Sequence, residues 1–93
     1  MTLLKRTVET FGKDMQLTVA CEELSELIKE LCKNKRGDDN REAIIEELAD
    51  CYIMMEQIEI IFGIDALSLH KRMVEKLARL EKRLAERNED APT

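Results

Sequence analysis

Two long helical patterns joined by a short polar turn constrain the fold of this chain more than any other feature. The first runs from about residue 14 to 33 and the second from about 40 to 62, and the turn reads KNKRGDDN. Helices of about twenty residues joined by so short a turn usually pack side by side in opposite directions. The sequence therefore predicts a central antiparallel helical hairpin.

One further helix is predicted on each side of this hairpin. The two span about residues 2–11 and 65–87, with Thr2 and Asp65 as capping residues, and the tail 88–93 is expected to fray. Three glycines and one proline in 93 residues favour helices over strands. The chain is thus predicted to be a single all-α domain, a four-helix chain. Because a domain this small has a limited core, we expect it to assemble into an oligomeric helical bundle.

Apolar residues recur at helical spacing along both long patterns. On the first pattern the predicted core stripe is Leu17, Ala20, Leu24, Leu27, Ile28 and Leu31. On the second the main stripe is Ile44, Leu48, Cys51, Met55, Ile58 and Phe62. A second apolar face with Met54 or Ile61 is expected to enter a subunit interface, together with a seam at Met73, Leu77, Leu80 and Leu84. Asp39, followed by Glu42, resembles a capping box that begins the second pattern.

Charge and composition exclude several classes of function. A net charge of −5 and an aromatic content of 3% make nucleic acid an unfavourable partner. No apolar run approaches the roughly 18 residues of a membrane span, and the first residues lack the apolar core and cleavage site of a signal peptide. Cys21, Cys32 and Cys51 fall in helical patterns without C-x-x-C spacing. We therefore expect free buried thiols in a reducing cytoplasm.

Each long helical pattern contains a pair of acids three residues apart. Glu23 and Glu26 lie on the first, and Glu47 and Asp50 lie on the second. If Asp38 is the middle of the turn, Glu26 and Asp50 are each twelve residues from it and stand at the same height. The other two acids lie roughly 4.5 Å to either side along helix axes that are roughly 8–10 Å apart. The four carboxylates could therefore converge on a common volume.

Two interpretations of these acids are open. Solvated acids on a helix usually have Lys or Arg three or four residues away. None of the four has a base four residues away, and at three residues the one base is Lys29, beside Glu26. Acids gathered on half-apolar faces without such partners need a counter-charge from elsewhere. A divalent cation would supply it, whereas the alternative leaves the acids solvated.

The chemistry of the donors indicates which metal would bind. All-oxygen sites suit Mg²⁺, Mn²⁺ or Ca²⁺. The turn lacks the EF-hand pattern, cysteine–histidine zinc spacing is absent, and His70, the one histidine, is far from both acid pairs. Mg²⁺ is therefore the predicted cofactor, with Mn²⁺ as a substitute. Because Mg²⁺ commonly shares its shell with substrate phosphates, the basic run HKRMVEKLARLEKR at residues 70–83 is either a phosphate-binding or a solvated helix.

The motifs together resemble a known family. EELSEL, then EELADCYIMMEQ, then FGID opening the last helix, is similar to the MazG-like all-α nucleoside triphosphate pyrophosphohydrolases over roughly residues 15–80. The resemblance implies that Glu23, Glu26, Glu47 and Asp50 bind Mg²⁺ and form the catalytic centre. It also implies dimers or tetramers with the active site near the subunit interface. In that family a K-N-x-K-[FL]-x-R run on the last helix contacts phosphates. Its second half is matched here by Lys76, Leu77 and Arg79, whereas its first Lys and Asn are replaced by Met73 and Val74.

The reaction implied is hydrolysis of a nucleoside triphosphate, especially a deoxynucleotide, to monophosphate and pyrophosphate. Metal would activate water and neutralise charge on the phosphates, while Lys76 and Arg79 would stabilise the departing pyrophosphate. Glu22 is a candidate auxiliary acid. Two alternatives are an all-α nucleotide diphosphatase and a non-enzymatic module that uses its amphipathic helices to bind a helical partner or a second copy.

Overall fold

The computed structural model describes the backbone of residues 2–90 and the side chains of residues 2–88. This part of the chain is entirely helical, with four helices and no strand. The helices are α1 (Leu3–Phe11), α2 (Lys13–Lys35), α3 (Arg41–Phe62) and α4 (Ala66–Asp90). The all-α class is therefore confirmed, and the observed helix ends lie within three residues of the predicted ones.

The largest difference in helix length is at the end of α4. The helix continues to Asp90, three residues beyond the predicted end; the fraying of the tail stays a prediction, and its last three residues lie outside the described residues. No glycine follows Gly63, and the one proline is Pro92. Because these are the residues that end helices most effectively, nothing in the sequence stops α4 before residue 91.

The chain divides into two compact units, one reaching to Gly63 and the other beginning at Ile64. In the first unit α1 packs against both α2 and α3, and α2 packs against α3 along its length. The second unit contains α4, whose described side chains are all exposed within this chain. None of the helices in residues 2–90 combines the length and the apolar character needed to cross a lipid bilayer.

Helix capping follows the sequence at two of the three predicted positions. The backbone N–H of Lys5 donates to the Thr2 hydroxyl at 3.2 Å, and that of Ser68 donates to Asp65 Oδ1 at 2.6 Å. The bond from Ser68 lowers the pKa of Asp65 below its ordinary value. Between α3 and α4, Gly63 takes the left-handed conformation, with φ of 61°, which glycine adopts without steric penalty.

The predicted capping box at the start of α3 is wrong. Asn40, rather than Asp39, is the N-cap residue, and its side chain makes no capping hydrogen bond. Its Nδ2 instead donates across to α2, to the Glu30 carbonyl at 2.9 Å and to Glu30 Oε2 at 2.6 Å. The second bond involves a charged acceptor and is the main reason why the pKa of Glu30 is lowered. Asn40 therefore connects the turn to α2 by hydrogen bonds instead of capping α3.

The face of α3 that packs in this unit combines the predicted second face with Cys51 of the predicted main stripe. Met54 and Ile61 are buried, and so are Cys51 and Gln57. The main stripe is partly uncovered, because Leu48, Met55 and Phe62 are 41%, 46% and 62% exposed. On α2, Ile28 and Leu31 of the predicted stripe are also exposed, whereas Ala20 is buried.

Two conclusions about the predicted stripes follow. The predicted main stripe of α3 is right for Cys51, which is buried, and wrong for Leu48, Met55 and Phe62, which are exposed. Both faces of α3 are rich in apolar residues, and periodicity alone does not rank them. Met54 and Ile61 are covered within their own chain, so the prediction that one of them enters a subunit interface is also wrong.

A pair of glutamine side chains is buried between α2 and α3. Gln16 Nε2 donates to Gln57 Oε1 at 2.7 Å, and the two residues are only 6% and 4% exposed. Burying an amide is unfavourable unless it finds a hydrogen-bond partner, so each glutamine depends on the other.

This dependence gives a stability prediction. Gln57→Met keeps the shape of the side chain but leaves the Gln16 amide without its partner, so it should lower the free energy of unfolding by about 1–3 kcal/mol. The double variant Gln16→Met/Gln57→Met removes both polar groups and should be within about 1 kcal/mol of the parent. Urea denaturation of the parent, both single variants and the double variant measures this. Additive effects of the two substitutions would contradict the interpretation.

Candidate metal centre

Hydrogen bonds define how α2 lies against α3. Gln16 contacts Gln57, the Cys51 thiol donates to the Glu23 carbonyl at 3.5 Å, and Asn40 contacts Glu30. The partners, two on α3 and one at its N-cap, thus come earlier in the chain as α2 is followed towards its C-terminal end. Counted along the sequence, Gln16 and Gln57 are equally far from a point between Arg36 and Gly37, whereas the predicted midpoint of the turn is Asp38. The alignment of α2 with α3 is therefore shifted from the predicted one.

Three of the four predicted acids come together at this packing surface. Glu23, Glu47 and Asp50 each place one carboxylate oxygen so that the three atoms lie within 4.8 Å of one another. Glu23 and Glu47 are half-buried, and Asp50 is exposed. Glu26 is exposed and is not a member of this group of three, and the shift in alignment explains why, since Glu23 rather than Glu26 faces Asp50. The three clustered residues are called the acid cluster below.

One carboxylate oxygen in the acid cluster has no partner. Glu47 Oε2 is inaccessible to solvent and makes no hydrogen bond. Most buried polar atoms in folded proteins are hydrogen-bonded, and a carboxylate oxygen is among the least favourable to leave alone. This atom therefore marks a position where a cation or a proton is needed.

No basic side chain of the first unit, in its described residues 2–63, forms an ion pair with the acid cluster. In residues 2–88 the one ion pair is formed by Lys33 and Glu30, at 3.4 Å. Neither residue belongs to the acid cluster. The absence of bases at helical spacing, noted in the sequence, is thus not compensated by a base from another part of the described unit.

Burial and mutual repulsion disfavour the charged forms of two of these acids. The pKa of Glu23 is raised mainly by burial, then by the charge of Asp50 and a hydrogen bond between the two carboxyl groups. The pKa of Glu47 is raised mainly by burial, then by the charges of Asp50 and Glu26. Glu26 therefore acts on the acid cluster electrostatically although it lies outside it. A divalent cation would oppose both causes.

The donor set fits a hard cation. All three clustered donors are carboxylate oxygens, which suit Mg²⁺ and Mn²⁺. Burial, together with the neighbouring acids, raises the pKa of the Cys51 thiol; this thiol donates to a backbone carbonyl and is not part of the acid cluster. His70 is exposed on α4. The donors present are therefore oxygens of the kind that hard divalent cations accept, and no thiol or imidazole belongs to the acid cluster.

The other predicted site residues are not part of the acid cluster. Glu22 is exposed on α2, and Lys76 and Arg79 are exposed on α4, in the second unit. Arg79 lines a surface pocket of α4 together with Lys82, Arg83 and Glu86. The expectation of buried thiols is correct for Cys51 alone, because Cys21 and Cys32 are free and exposed.

Sequence reasoning missed the polar contacts that flank the acid cluster. Gln16 and Glu30 lie seven residues before and after Glu23, and Gln57 lies seven residues after Asp50. A spacing of seven returns a side chain to the same face of a packed helix pair. This seven-residue spacing was the feature of the sequence that could have identified these polar contacts.

Comparisons with known proteins identify no relative of this chain. No protein-family model matches the chain, and no curated protein and no solved structure matches it.

The raised pKa values of Glu23 and Glu47 predict how stability depends on pH. A carboxyl whose pKa is higher in the folded than in the unfolded state stabilises the fold below its unfolded pKa, and this contribution is lost as pH rises through the folded pKa. Metal-free protein should therefore melt at a higher temperature near pH 5 than near pH 8. Glu30 and Asp65 have lowered pKa values, so their stabilising contributions are lost mainly below pH 5 and do not reverse this difference.

Thermal melts in EDTA at the two pH values measure the effect. Glu47→Gln should raise the melting temperature at pH 8 and reduce the difference between the two pH values, whereas the exposed Glu56→Gln on the same helix should do neither. Mg²⁺ in hundredfold excess over its Kd should stabilise the parent by about 2.7 kcal/mol, and more at pH 8 than at pH 5, since metal ligands must be deprotonated. If about 10 mM Mg²⁺ does not change the melting temperature of the parent at pH 8, this result would count against a preformed metal site.

Proposed function

We propose that this protein is a Mg²⁺-dependent nucleoside triphosphate pyrophosphohydrolase. It would hydrolyse a nucleoside or deoxynucleoside triphosphate to the monophosphate and pyrophosphate, a reaction that serves housekeeping of the nucleotide pool. The observation that supports this most is the acid cluster, with its unpartnered Glu47 oxygen and no ion pair to a base of the described first unit. The motifs around these acids, which resemble the MazG-like family, supply the reaction.

Glu23, Glu47 and Asp50 would hold the metal, and Glu26 is the proposed fourth acid. Mn²⁺ is the proposed substitute for Mg²⁺, because it accepts the same oxygen donors. When bound, the metal would supply Lewis-acid charge stabilisation at the phosphates and lower the pKa of a coordinated water.

The chain's own residues prepare this site. Half-burial of Glu23 and Glu47 reduces the water around their carboxylates and so strengthens their interaction with a cation. Glu22, exposed one residue before Glu23, stays the candidate auxiliary acid that would accept a proton. Lys76 and Arg79 stay the predicted phosphate-binding residues, since their cationic groups suit a departing pyrophosphate.

The finer architecture belongs to the same proposal. We propose that α2 and α3 form an antiparallel hairpin and that copies of the chain assemble into a dimer or tetramer in the cytoplasm. The exposed apolar residues Leu48, Met55 and Phe62, spaced seven residues apart along one side of α3, support assembly, because exposed apolar surface can mark interaction sites.

The same exposed surface favours one alternative, a non-enzymatic module that binds a helical partner. The acid cluster separates the two functions. A module of this type has no need for unpaired acids at its packing surface, whereas the enzyme requires them to bind metal. Binding of Mg²⁺ in the absence of nucleotide would therefore weigh against the module.

The catalytic prediction concerns neutral variants of the acid cluster. Glu47→Gln and Asp50→Asn preserve side-chain shape and should lower the rate of pyrophosphate release at least about 100-fold, as expected when a charge-stabilising group is removed. The assay uses a panel of common and damaged deoxynucleoside triphosphates with saturating Mg²⁺. Glu56→Gln is the control and should retain the parental rate. Variant rates within about threefold of the parent, equivalent to less than about 1 kcal/mol of barrier, would refute the assignment.

The assembly prediction concerns the exposed face of α3. At roughly tens of micromolar, where a dimer of micromolar affinity is mostly assembled, sedimentation equilibrium should give at least twice the 10.8 kDa mass of the chain. Met55→Lys places a charge in the apolar surface and should shift the protein towards monomer. Ser25→Lys, at an exposed polar position of α2, should not. A monomeric parent would show that this surface does not mediate self-association.

A further inference from the structure

The buried glutamine pair and the acid cluster are related by one spacing. Glu23 lies seven residues after Gln16 on α2, and Asp50 lies seven residues before Gln57 on α3. Seven residues are two helical turns, or roughly 10.5 Å along each axis. If Gln16 is opposite Gln57, then Glu23 is opposite Asp50, which is the arrangement observed.

We propose that Gln16 and Gln57 are positioning residues that set the register of α2 against α3 and thereby bring the acid cluster together. The inference deepens the proposed function and rests on it for the role of the metal. It assigns to the two amides a task that neither their burial nor their contribution to stability would require.

A slip of one helical turn shows why this pair is suited to the task. Moving α3 by four residues would place Gln16 opposite Ile61, Ala20 opposite Gln57, and Glu23 opposite Met54. Both amides would then be buried among apolar neighbours without partners. Hydrogen bonds are directional and an unmade buried one is unfavourable, so the glutamines oppose a slip of this kind. Buried polar residues at helix interfaces are known to fix register in this way.

The remaining contacts between α2 and α3 are less able to select a register. Ala20, Met54 and Ile61 are apolar, and apolar burial is non-directional. The Cys51 thiol is a weak donor and its bond is long, at 3.5 Å. The Asn40–Glu30 bond lies beside the turn and is only part-buried, so water can replace it. The acids themselves repel one another and favour separation.

The test compares two measurements on Gln16→Met/Gln57→Met, which removes the hydrogen bond while keeping side-chain shape. The first is the Kd for Mn²⁺ alone, from the electron paramagnetic resonance signal of the free ion. The second is the distance between nitroxides on the exposed Cys32 and on Tyr52→Cys, whose native side chain is 66% exposed, in a Cys21→Ser background. These two positions lie at different heights along the helix axes, so an axial slip changes their separation directly. Met54→Leu, at an equally buried apolar position of α3, is the control.

We expect the double variant to remain folded by circular dichroism and urea denaturation, but to bind Mn²⁺ at least tenfold more weakly. Its nitroxide distance should shift or split, because one turn corresponds to roughly 5.4 Å. Met54→Leu should match the parent in both measurements. If the double variant does not fold, Gln16→Asn, whose shorter amide does not reach Gln57, is judged by the same two measurements.

The outcomes separate this inference from the proposed function. An unchanged distance distribution in the double variant, or a Mn²⁺ Kd within twofold of the parent, overturns the positioning role. If the parent binds Mn²⁺ but hydrolyses no nucleotide, the proposed function fails while the register measurements still decide the inference. If the parent binds no Mn²⁺, the metal centre fails, and the nitroxide distance alone decides whether the glutamines set the register.

Discussion

The packing of α2 against α3 depends on polar groups that must be satisfied inside the contact. Ala20 and Met54 supply apolar burial, but they alternate with Gln16, Gln57 and Glu23 along the same surface. Apolar side chains tolerate many relative positions, whereas buried amides and carboxylates tolerate few. The cost of leaving polar groups unpaired therefore restricts how the two helices can fit together, and everything in the acid cluster depends on that fit.

The acid cluster destabilises the packing of α2 against α3 that brings its residues together. Burial raises the pKa values of Glu23 and Glu47, and the charge of Asp50 adds to the effect on both. The unpartnered oxygen of Glu47 is a further unfavourable feature. Functional sites often retain such destabilising groups, and the surrounding structure holds them in place. In this unit the glutamines and the bond between Asn40 and Glu30 are the groups placed to do so.

The sequence predicts most of this structure, and its failures have a common physical cause. Glycine, proline and helical spacing are local signals, so the four helices and the caps at Thr2 and Asp65 are predicted well. The grouping of Glu23 with Glu47 and Asp50 is also anticipated from spacing. Contacts between different helices decide instead which face of α3 is covered and why Glu26 lies outside the acid cluster. The hydrogen bond from the Asn40 side chain to Glu30 is itself such a contact. Pattern analysis along one helix does not register a partner on another.

The positions of the inter-helix hydrogen bonds also imply an order of folding. Asn40 and Glu30 are ten residues apart in the chain, whereas Gln16 and Gln57 are forty-one apart. Because the entropy lost on closing a loop grows with its length, the contact beside the turn should form first and the glutamine pair last. Association of α2 and α3 would then proceed from the turn outwards, meeting the repulsive carboxylates before the distant amides engage. The acids would thus contribute to the kinetic barrier, and acidic solution should accelerate the collapse of this unit.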